Sequence, residues 1–403
     1  MSGTPDAGVL VVGAGIGGLS AALALARAGH EVTVLEAAAD LAEIGAGIQL
    51  GPNALRVLDW LGLLDDVYKN AVHPPRAVMV DSVTGRCITA LDFGQQFTER
   101  YGYPYVVTHR SDLHGSLLRA CEASGRVRIL TGRRVTRVGQ ADGDMPVVGT
   151  ADGQTHRAAV VIGADGLHSV IREYVVGDGE PRCTGDVAYR GTIPIDKVSR
   201  RGEPSRVTWW VGPHRHLIQY PIRGGELLNQ VAVIESQQFV RQVPTWGDPS
   251  ELDELFADKH EAVAEGLALI GRERRWVLFD RDPVESWTRG RVTLLGDAAH
   301  PMLQYLAQGG CLALEDAIVL GGAFEQHPGD VDRALAAYQD ERLPRTARAQ
   351  LAAREMGNIV HARGTTARLR DALLGGRADD DFGYVNWLYS YESPFLRRAP
   401  GTA

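Results

Sequence analysis

Apolar positions in this chain follow three different rhythms. Short unbroken runs, Val9 to Val12 and Ala158 to Ile162, read as buried strands. Apolar residues that return every three or four positions, as Leu55, Leu58 and Leu61 do, mark one face of an amphipathic helix. Between residues 182 and 240 the rhythm becomes strict alternation in AYRGTIPI, RVTWWVG, RHLIQYPI and LLNQVAVIES. These segments are rich in β-branched and aromatic side chains and read as half-buried antiparallel strands joined by Gly-containing turns.

Taken in order, the rhythms predict a strand (Val9 to Val12), a glycine turn, a helix (Leu19 to Ala28) and a strand (Glu31 to Glu36), which is a βαβ unit. A Gly-rich loop, IGAGIQLGPN, precedes the second helix. Residues 76–101 look like an antiparallel ribbon turning at Thr84-Gly85, and a helix follows HRSDLH. Strand character in RVRILTGRRVTRV and a turn at Ala151-Asp152-Gly153 lead to the second apolar run, which ends in GADGLHSVIRE. Helical pattern covers Glu251 to Leu269. A strand at Arg291 to Leu295 runs into LLGDAAHPMLQYLAQGG, then the helix-forming CLALEDAIVLGGAF, then Ala/Arg/Glu-rich helices from Val331 to about Ile359. The expected class is α/β (α+β overall): a Rossmann-like dinucleotide domain of interleaved segments 1–75, 102–180 and 276–365. An antiparallel β-sheet domain, 76–101 and 181–275, is inserted in it, and 366–403 form a C-terminal helical segment.

Bulk properties narrow the partners. The net charge of −8 comes without a basic tract, which argues against nucleic acid or an anionic membrane surface. Cys87, Cys121, Cys183 and Cys311 form no CxxC pair, the pattern of a reducing compartment. MSGTPDAG has no basic n-region of a secretory signal. Gly8 to Ala26 is uncharged and about as long as a membrane span, but its glycines divide it into strand and helix. A cytoplasmic protein without a membrane span is expected.

The chemistry begins at GAGIGG. Gly13 permits a tight turn, Gly15 lets backbone approach a pyrophosphate, and Gly18 lets helix and strand pack closely. The helix N-terminus offers unpaired N–H groups to phosphate, and Glu36, closing the second strand, is positioned for a ribose hydroxyl. NAD alone would not require the later stretch at Gly296; the longer FAD needs a second contact region. Asp297 can accept hydrogen bonds from ribityl or ribose hydroxyls, Ala298 and Ala299 keep the backbone accessible, and the amides of Gly309 and Gly310 suit negative charge on a reduced flavin. No second GxGxxG is present for a separate NADPH domain, and GxSxG, HExxH and P-loop motifs are missing.

With GAGIGG and Glu36, GADGLHSVIR, and GDAAHP followed by Glu315 to Ala317, the chain resembles the aromatic-ring-hydroxylating flavoprotein monooxygenases (class A). The resemblance implies FAD as cofactor, NAD(P)H (NADH by preference) and O2 as co-substrates, and a flavin C4a-hydroperoxide as hydroxylating species. It implies that the Asp165-Gly166 turn lies near the pyrophosphate and serves NAD(P)H use, that Arg110 lies near the FAD phosphates, and that Gln49 sits in a flavin-contacting loop.

The substrate side is expected on the inserted sheet. Along one strand His214, His216, Ile218 and Tyr220 would share a face; two histidines without further ligands are not expected to hold a metal. Ionising a phenol of pKa about 10 at pH 7 costs roughly 4 kcal/mol, and a histidine near 6.5 is suited to assist. Within the family the likeness is greatest to the 3-hydroxybenzoate 6-hydroxylases, through RHLIQYPIRGGELLNQVAVIES, LLGDAAHPMLQYLAQGG and YVNWLYSY. That likeness implies His216 as the base on the substrate hydroxyl, Gln304 as an orienting or activating group and Tyr220 as a pocket wall. Met302 stands where that group has proline and Gln308 where it has a small residue. Arg190 is a candidate for the substrate carboxylate. Salicylate 1-hydroxylation, biosynthetic phenol hydroxylation, and a non-hydroxylating flavin sensor or NADH oxidase remain open alternatives. The likeness also favours a homodimer.

Overall fold

The first apolar runs form the middle of a six-stranded sheet. Its order is Thr288–Arg289, Val292–Leu294, Val160–Gly163, Val9–Val12, Val32–Leu35 and Val127–Leu130, parallel except for the short Thr288–Arg289 edge strand. The computed structural model describes residues 8–41, 46–140, 145–199, 205–243 and 246–395. The first seven residues, Ile44 and Gly45 of the Gly-rich loop, and residues 396–403 of the expected C-terminal segment lie outside them.

Every residue of Val9–Val12 and Val160–Gly163 is buried, because a parallel sheet carries helices on both faces and has no solvated side. The helices Ile16–Arg27 and Gly309–Gln326 cross so closely that a Cβ on Gly321 would lie 2.9 Å from that of Ala24. Small residues at the crossing let the two backbones meet.

The alternating segments form a seven-stranded sheet in the order Trp276–Asp280, Arg182–Pro194, Leu227–Glu235, Arg215–Ile222, Val207–Gly212, Arg76–Asp81, Cys87–Asp92. All its pairings are antiparallel except Val207–Gly212 with Arg76–Asp81. One face, with Tyr189, Leu217, Ala232 and Ile234, packs on Leu252, Phe256, Val263 and Leu267. The opposite face carries His216, Ile218 and Tyr220, which line a cavity shared with the parallel sheet. Alternation thus sorts residues between a core and a cavity, not between core and solvent.

Some elements depart from the sequence reading. Residues 251–269 form two helices, Ser250–Leu255 and Glu261–Ala268; the second starts on its own cap, where the His260 ring accepts from the amide of Ala262. Gln95–Tyr101 is helical, with Gly102 ending it at a left-handed φ of 80°, so the ribbon stops at Asp92. Where the sequence pattern predicts several Ala/Arg/Glu-rich helices, one helix, Val331–Val360, runs unbroken and continues through Pro344. The next helix, Gly364–Gly375, begins two residues ahead of position 366.

Candidate active site

The C-terminal ends of the parallel strands converge, which is where open α/β sheets bind ligands. Gly13 follows Val12, Glu36 follows Leu35, Ala164 follows Gly163, and Gly296-Asp297 comes shortly after Leu294. The three glycines of the first turn have distinct geometries. Gly13 has a φ of 104°, and a Cβ there would lie 2.4 Å from the Ala164 carbonyl oxygen. A Cβ on Gly18 would lie 1.9 Å from the carbonyl oxygen of Gly13, whereas at Gly15 it would meet no protein atom within 4 Å. Gly15 therefore faces open space at the N-terminus of Ile16–Arg27, the cradle that a pyrophosphate requires. The Glu36 carboxylate accepts from the amides of Ala14 (2.8 Å) and Ala38 (2.7 Å), which ties the second strand to the turn. Glu36, Arg133 and Asp165 line one cavity of about 290 Å³ beside Gly13.

Asp165 lies beside Gly13 through its backbone, but its side chain caps a helix. It accepts from Ser169 Oγ (2.5 Å) and from the amides of Val170 (2.8 Å) and Ile171 (3.2 Å). Burial raises its pKa and these bonds only partly oppose that. The neighbouring Gly166, at φ 78°, turns the chain past the main cavity.

The GDAAHP stretch is held from two sides. Arg172, fully buried, donates to the carbonyls of Ala298 (2.9 Å) and Ala299 (2.6 Å), so the central GADGLHSVIR motif grips the later one directly. From below, Asp316 accepts from the amide of Gly296 (3.0 Å), pairs with His300 Nε2 (2.6 Å) and accepts from Arg342 Nε (2.7 Å). Burial opposes ionisation of Asp316, yet His300 and Arg342 bring its pKa down to about 2. Asp297 itself is exposed to the cavity, with no side-chain partner among the described residues. An acid free to accept hydroxyl hydrogen bonds, over small residues with a pinned backbone, fits the polyol stretch of FAD. Gly309 and Gly310 open the helix after Gln308 and line the same cavity; a Cβ on Gly310 would lie 2.9 Å from Ile48.

That cavity, of about 430 Å³, runs from Gly15 to the inserted sheet. Gln49 and Arg110 line it; Gln49 Oε1 accepts from Tyr105 (2.7 Å), and the amide of Arg110 bonds the Ala46 carbonyl (2.9 Å). Gly47 passes under Tyr220, where a Cβ would lie 2.5 Å from the ring, and its amide donates to Asn229 Oδ1 (2.7 Å). The inserted sheet thereby fixes the loop that carries Gln49. Tyr220 is buried, and burial holds its hydroxyl pKa well above the ordinary value. Gln304 Oε1 accepts from Arg190 Nη2 (2.6 Å).

Arg190 lines the cavity against the face of Trp276, and no carboxylate pairs with it among the described residues. Its Nε is buried without a hydrogen-bond partner. Burial works against the charge, yet a guanidinium does not deprotonate in proteins. His216 is 6 % exposed; Nδ1 faces His361 Nε2 at 2.8 Å, which leaves Nε2 for an occupant of the cavity. Burial, then the neighbouring His361, push its pKa well below the ordinary value, so the ring is neutral near pH 7.

Other expected positions resolve differently. His214 is not on the cavity face: it occupies the turn between Val207–Gly212 and Arg215–Ile222 at a φ of 60°, and strand alternation begins only after it. Met302 lines the cavity, whereas the Gln308 side chain is drawn to Asn53 (3.0 Å), which also donates to Glu315 (2.6 Å). Asp186, Glu235 and His361, none of which the sequence reading singled out, gather within 4.8 Å and have the donor chemistry of a metal site. Their atoms are already engaged: His361 Nδ1 with Glu235 Oε1 (3.0 Å), and Asp186 with Tyr305 (3.1 Å) and Thr184 (3.0 Å). Arg172 was within a recognised motif, but no local spacing marks His361 or Glu235.

Folding and site geometry define a flavin-binding protein, and the comparisons agree. The chain belongs to the FAD binding domain family, matched over residues 6–353. It is 42% identical over 398 residues to a 3-hydroxybenzoate 6-hydroxylase of Polaromonas naphthalenivorans (strain CJ2), covering 97% of this chain and 98% of that one. A 3-hydroxybenzoate 6-hydroxylase of Klebsiella oxytoca is 40% identical over 384 residues, covering 95% and 96%. Among solved structures, Klebsiella pneumoniae HpxO complexed with FAD and uric acid superposes with a TM-score of 0.81 at 29% identity, over 96% of this chain and 97% of the other. No helix among the described residues is long and apolar enough to cross a membrane.

Proposed function

We propose that the protein is an FAD-dependent monooxygenase that hydroxylates 3-hydroxybenzoate para to its hydroxyl. One O2 and one NAD(P)H are consumed with a proton, giving 2,5-dihydroxybenzoate, NAD(P)⁺ and water. When bound, FAD supplies the hydride acceptor and the activation of O2. Gly15 and the following helix N-terminus would hold its pyrophosphate, Asp297 its hydroxyls, and Gln49, Arg110, Gly309 and Gly310 the remainder. On the likeness to the relatives we read NADH as the donor and a cytoplasmic homodimer as the working form.

One observation carries the substrate reading: a neutral, buried imidazole and a half-buried guanidinium, whose Nε is buried without a partner and which meets no acid among the described residues, line the same cavity. A hydroxybenzoate offers a phenol to the first and a carboxylate to the second. His216 Nε2 would take the phenol proton and make the ring electron-rich, a step worth about 10²–10⁴-fold in rate. Arg190 would hold the carboxylate, as a half-buried cation with no acid beside it favours an anion. Gln304, already bonded to Arg190, would orient substrate from the opposite segment, and Tyr220 would wall the ring.

The test is product identification with FAD, NADH and O2 on 3-hydroxybenzoate and on salicylate. We expect 2,5-dihydroxybenzoate in near-stoichiometric yield from the first. Catechol from salicylate as the better reaction, or peroxide with no hydroxylated ring from either, would end the reading. In the same assay His216→Ala should hydroxylate about 10²–10⁴-fold more slowly while remaining yellow with bound FAD.

A further inference from the structure

His216 is the inner end of a hydrogen-bonded chain that leaves the cavity through the inserted sheet. Its Nδ1 is 2.8 Å from His361 Nε2, and His361 Nδ1 is 3.0 Å from Glu235 Oε1. Glu235 Oε2 is 2.5 Å from His214 Nδ1, and His214 Nε2 meets Arg363. The inner members are buried, with His216 6 % and His361 5 % exposed, whereas the side chain of Glu235 is 37 % exposed. A separate opening of about 310 Å³, lined by Asp186, Asn358, Glu235 and His361, lies on the far side of His361 from the substrate cavity.

The chain has a direction set by chemistry. A carboxylate only accepts, so His361 and His214 both donate to Glu235 through Nδ1–H. In the neutral chain His361 Nε2 then carries a lone pair and accepts from His216 Nδ1–H. His216 Nε2 is left with its lone pair on the cavity side. Glu235, two hydrogen bonds removed from His216 and outside the lining of the substrate cavity, therefore selects the tautomer in which His216 is a base. The same logic fixes a histidine between an acid and a nucleophile in hydrolase triads. At the outer end, Arg363 can only donate, which agrees with a lone pair on His214 Nε2.

We infer that Glu235 and His361 form a proton relay that sets the tautomer of His216 and carries the substrate phenol proton to the second opening. As His216 Nε2 takes that proton, its Nδ1 proton passes to His361 Nε2, and the His361 Nδ1 proton passes to Glu235 and on to water. Each ring ends with one N–H, in the opposite tautomer. When the hydroxylated ring regains aromaticity, its oxygen takes a proton back along the same path, which restores both tautomers. This inference rests on the assignment of His216 as the phenol base.

The arrangement also answers a difficulty. Burial makes His216 a weak base on its own, but a relayed proton need not stay there. Glu235 is held at a pKa of about 2; its partial burial opposes ionisation and the bonds from His361 and His214 outweigh it. Asp186 and Tyr305 pack beside His361, and Arg182 and Arg354, both paired with Asp280, form the far rim of the opening. The path is therefore bordered by charges of both signs and does not become a net cationic or anionic trap.

His361→Ala tests the relay, because its removal enlarges an opening that can admit free imidazole. We expect hydroxylation to fall roughly 10- to 100-fold, less than in His216→Ala, with flavin reduction by NADH within about threefold of the parent. Millimolar imidazole should restore at least part of the loss, which no purely structural role predicts. Full hydroxylation without His361, or a loss that imidazole leaves untouched, overturns the relay. Glu235→Gln serves as a second, isosteric variant at the exposed end, read by absorbance of bound 3-hydroxybenzoate against pH. The apparent pKa of the bound phenol should rise; an unchanged pKa also overturns the relay. If instead His216→Ala hydroxylates at the parental rate, the base assignment has failed rather than the relay.

Discussion

Two places in this molecule draw a histidine and an arginine in from solvent, and they are put to opposite uses. Under the GDAAHP loop, His300 and Arg342 converge on Asp316, and Arg342 Nη1 also lies 2.8 Å from Glu315. All four side chains are within 1 % of fully buried, and Arg345 closes the far side of Glu315 at 2.6 Å. On the cavity wall, His216 is nearly as inaccessible and Arg190 is half-buried, but Arg190 meets an amide and an indole, and His216 another imidazole. The first pair is neutralised by protein. The second leaves a base and a cation facing space. Withdrawal from solvent and perturbed titration are common to both, so neither property identifies the site; a cavity-facing base and cation with no opposite charge beside them do.

Removing a cation should have opposite consequences in the two places. Arg342→Met leaves Glu315 and Asp316 buried with only Arg345 and His300 between them, and breaking such a network costs about 3–5 kcal/mol. Arg190→Met removes a charge with no acid to strand among the described residues, so stability should stay within about 1 kcal/mol of the parent. Urea unfolding of both apoproteins measures this. Equal losses would show that Arg190 has a protein partner after all.

On substrate the ranking reverses. Charge-assisted bonds are worth about 1.5–3 kcal/mol, so Arg190→Met should raise KM for 3-hydroxybenzoate roughly 10- to 100-fold. Its effect on binding of a phenol without the carboxylate should be small. A uniform weakening of both ligands would assign Arg190 to shape and not to charge.

The same contrast explains what could be read from the chain beforehand. The glycine turn was legible because Gly13 and Gly18 answer to atoms within a few residues or on the adjoining strand, and Gly15 to the open space before a helix N-terminus. The alternating segments were legible because strand periodicity survives whichever material fills the two faces. His214 misled because alternation was extended one step too far, into a turn whose positive φ no neighbour in sequence announces. The EDA acids were recognised as part of a motif, but their task, pinning Gly296 and His300, depends on Arg342, 26 residues beyond Asp316. Glu235 and His361 are 126 residues apart and join only because the end of a long helix docks on the second sheet. No rhythm in the sequence encodes that docking.

Acid should separate the two regions by a smaller effect. Asp316 has a folded pKa of about 2 against an ordinary 3.8. A depressed carboxylate contributes stability that is fully present above the unfolded value and is lost as pH falls through the folded one. The window is therefore about pH 4 to 2, and the contribution is on the order of 2 kcal/mol. Glu235 is depressed from 4.5 to about 2, but its side chain is 37 % exposed, so solvent screening leaves it well under 1 kcal/mol. Stability measured by urea titration across this range should fall less steeply in Asp316→Asn than in the parent, once its lower starting value is subtracted. In Glu235→Gln the slope should be nearly parental, even though hydroxylation is impaired. If Glu235→Gln flattened the acid limb as much as Asp316→Asn, the relay carboxylate would be a structural lock like the one beneath the loop, and the distinction drawn between the two regions would not stand.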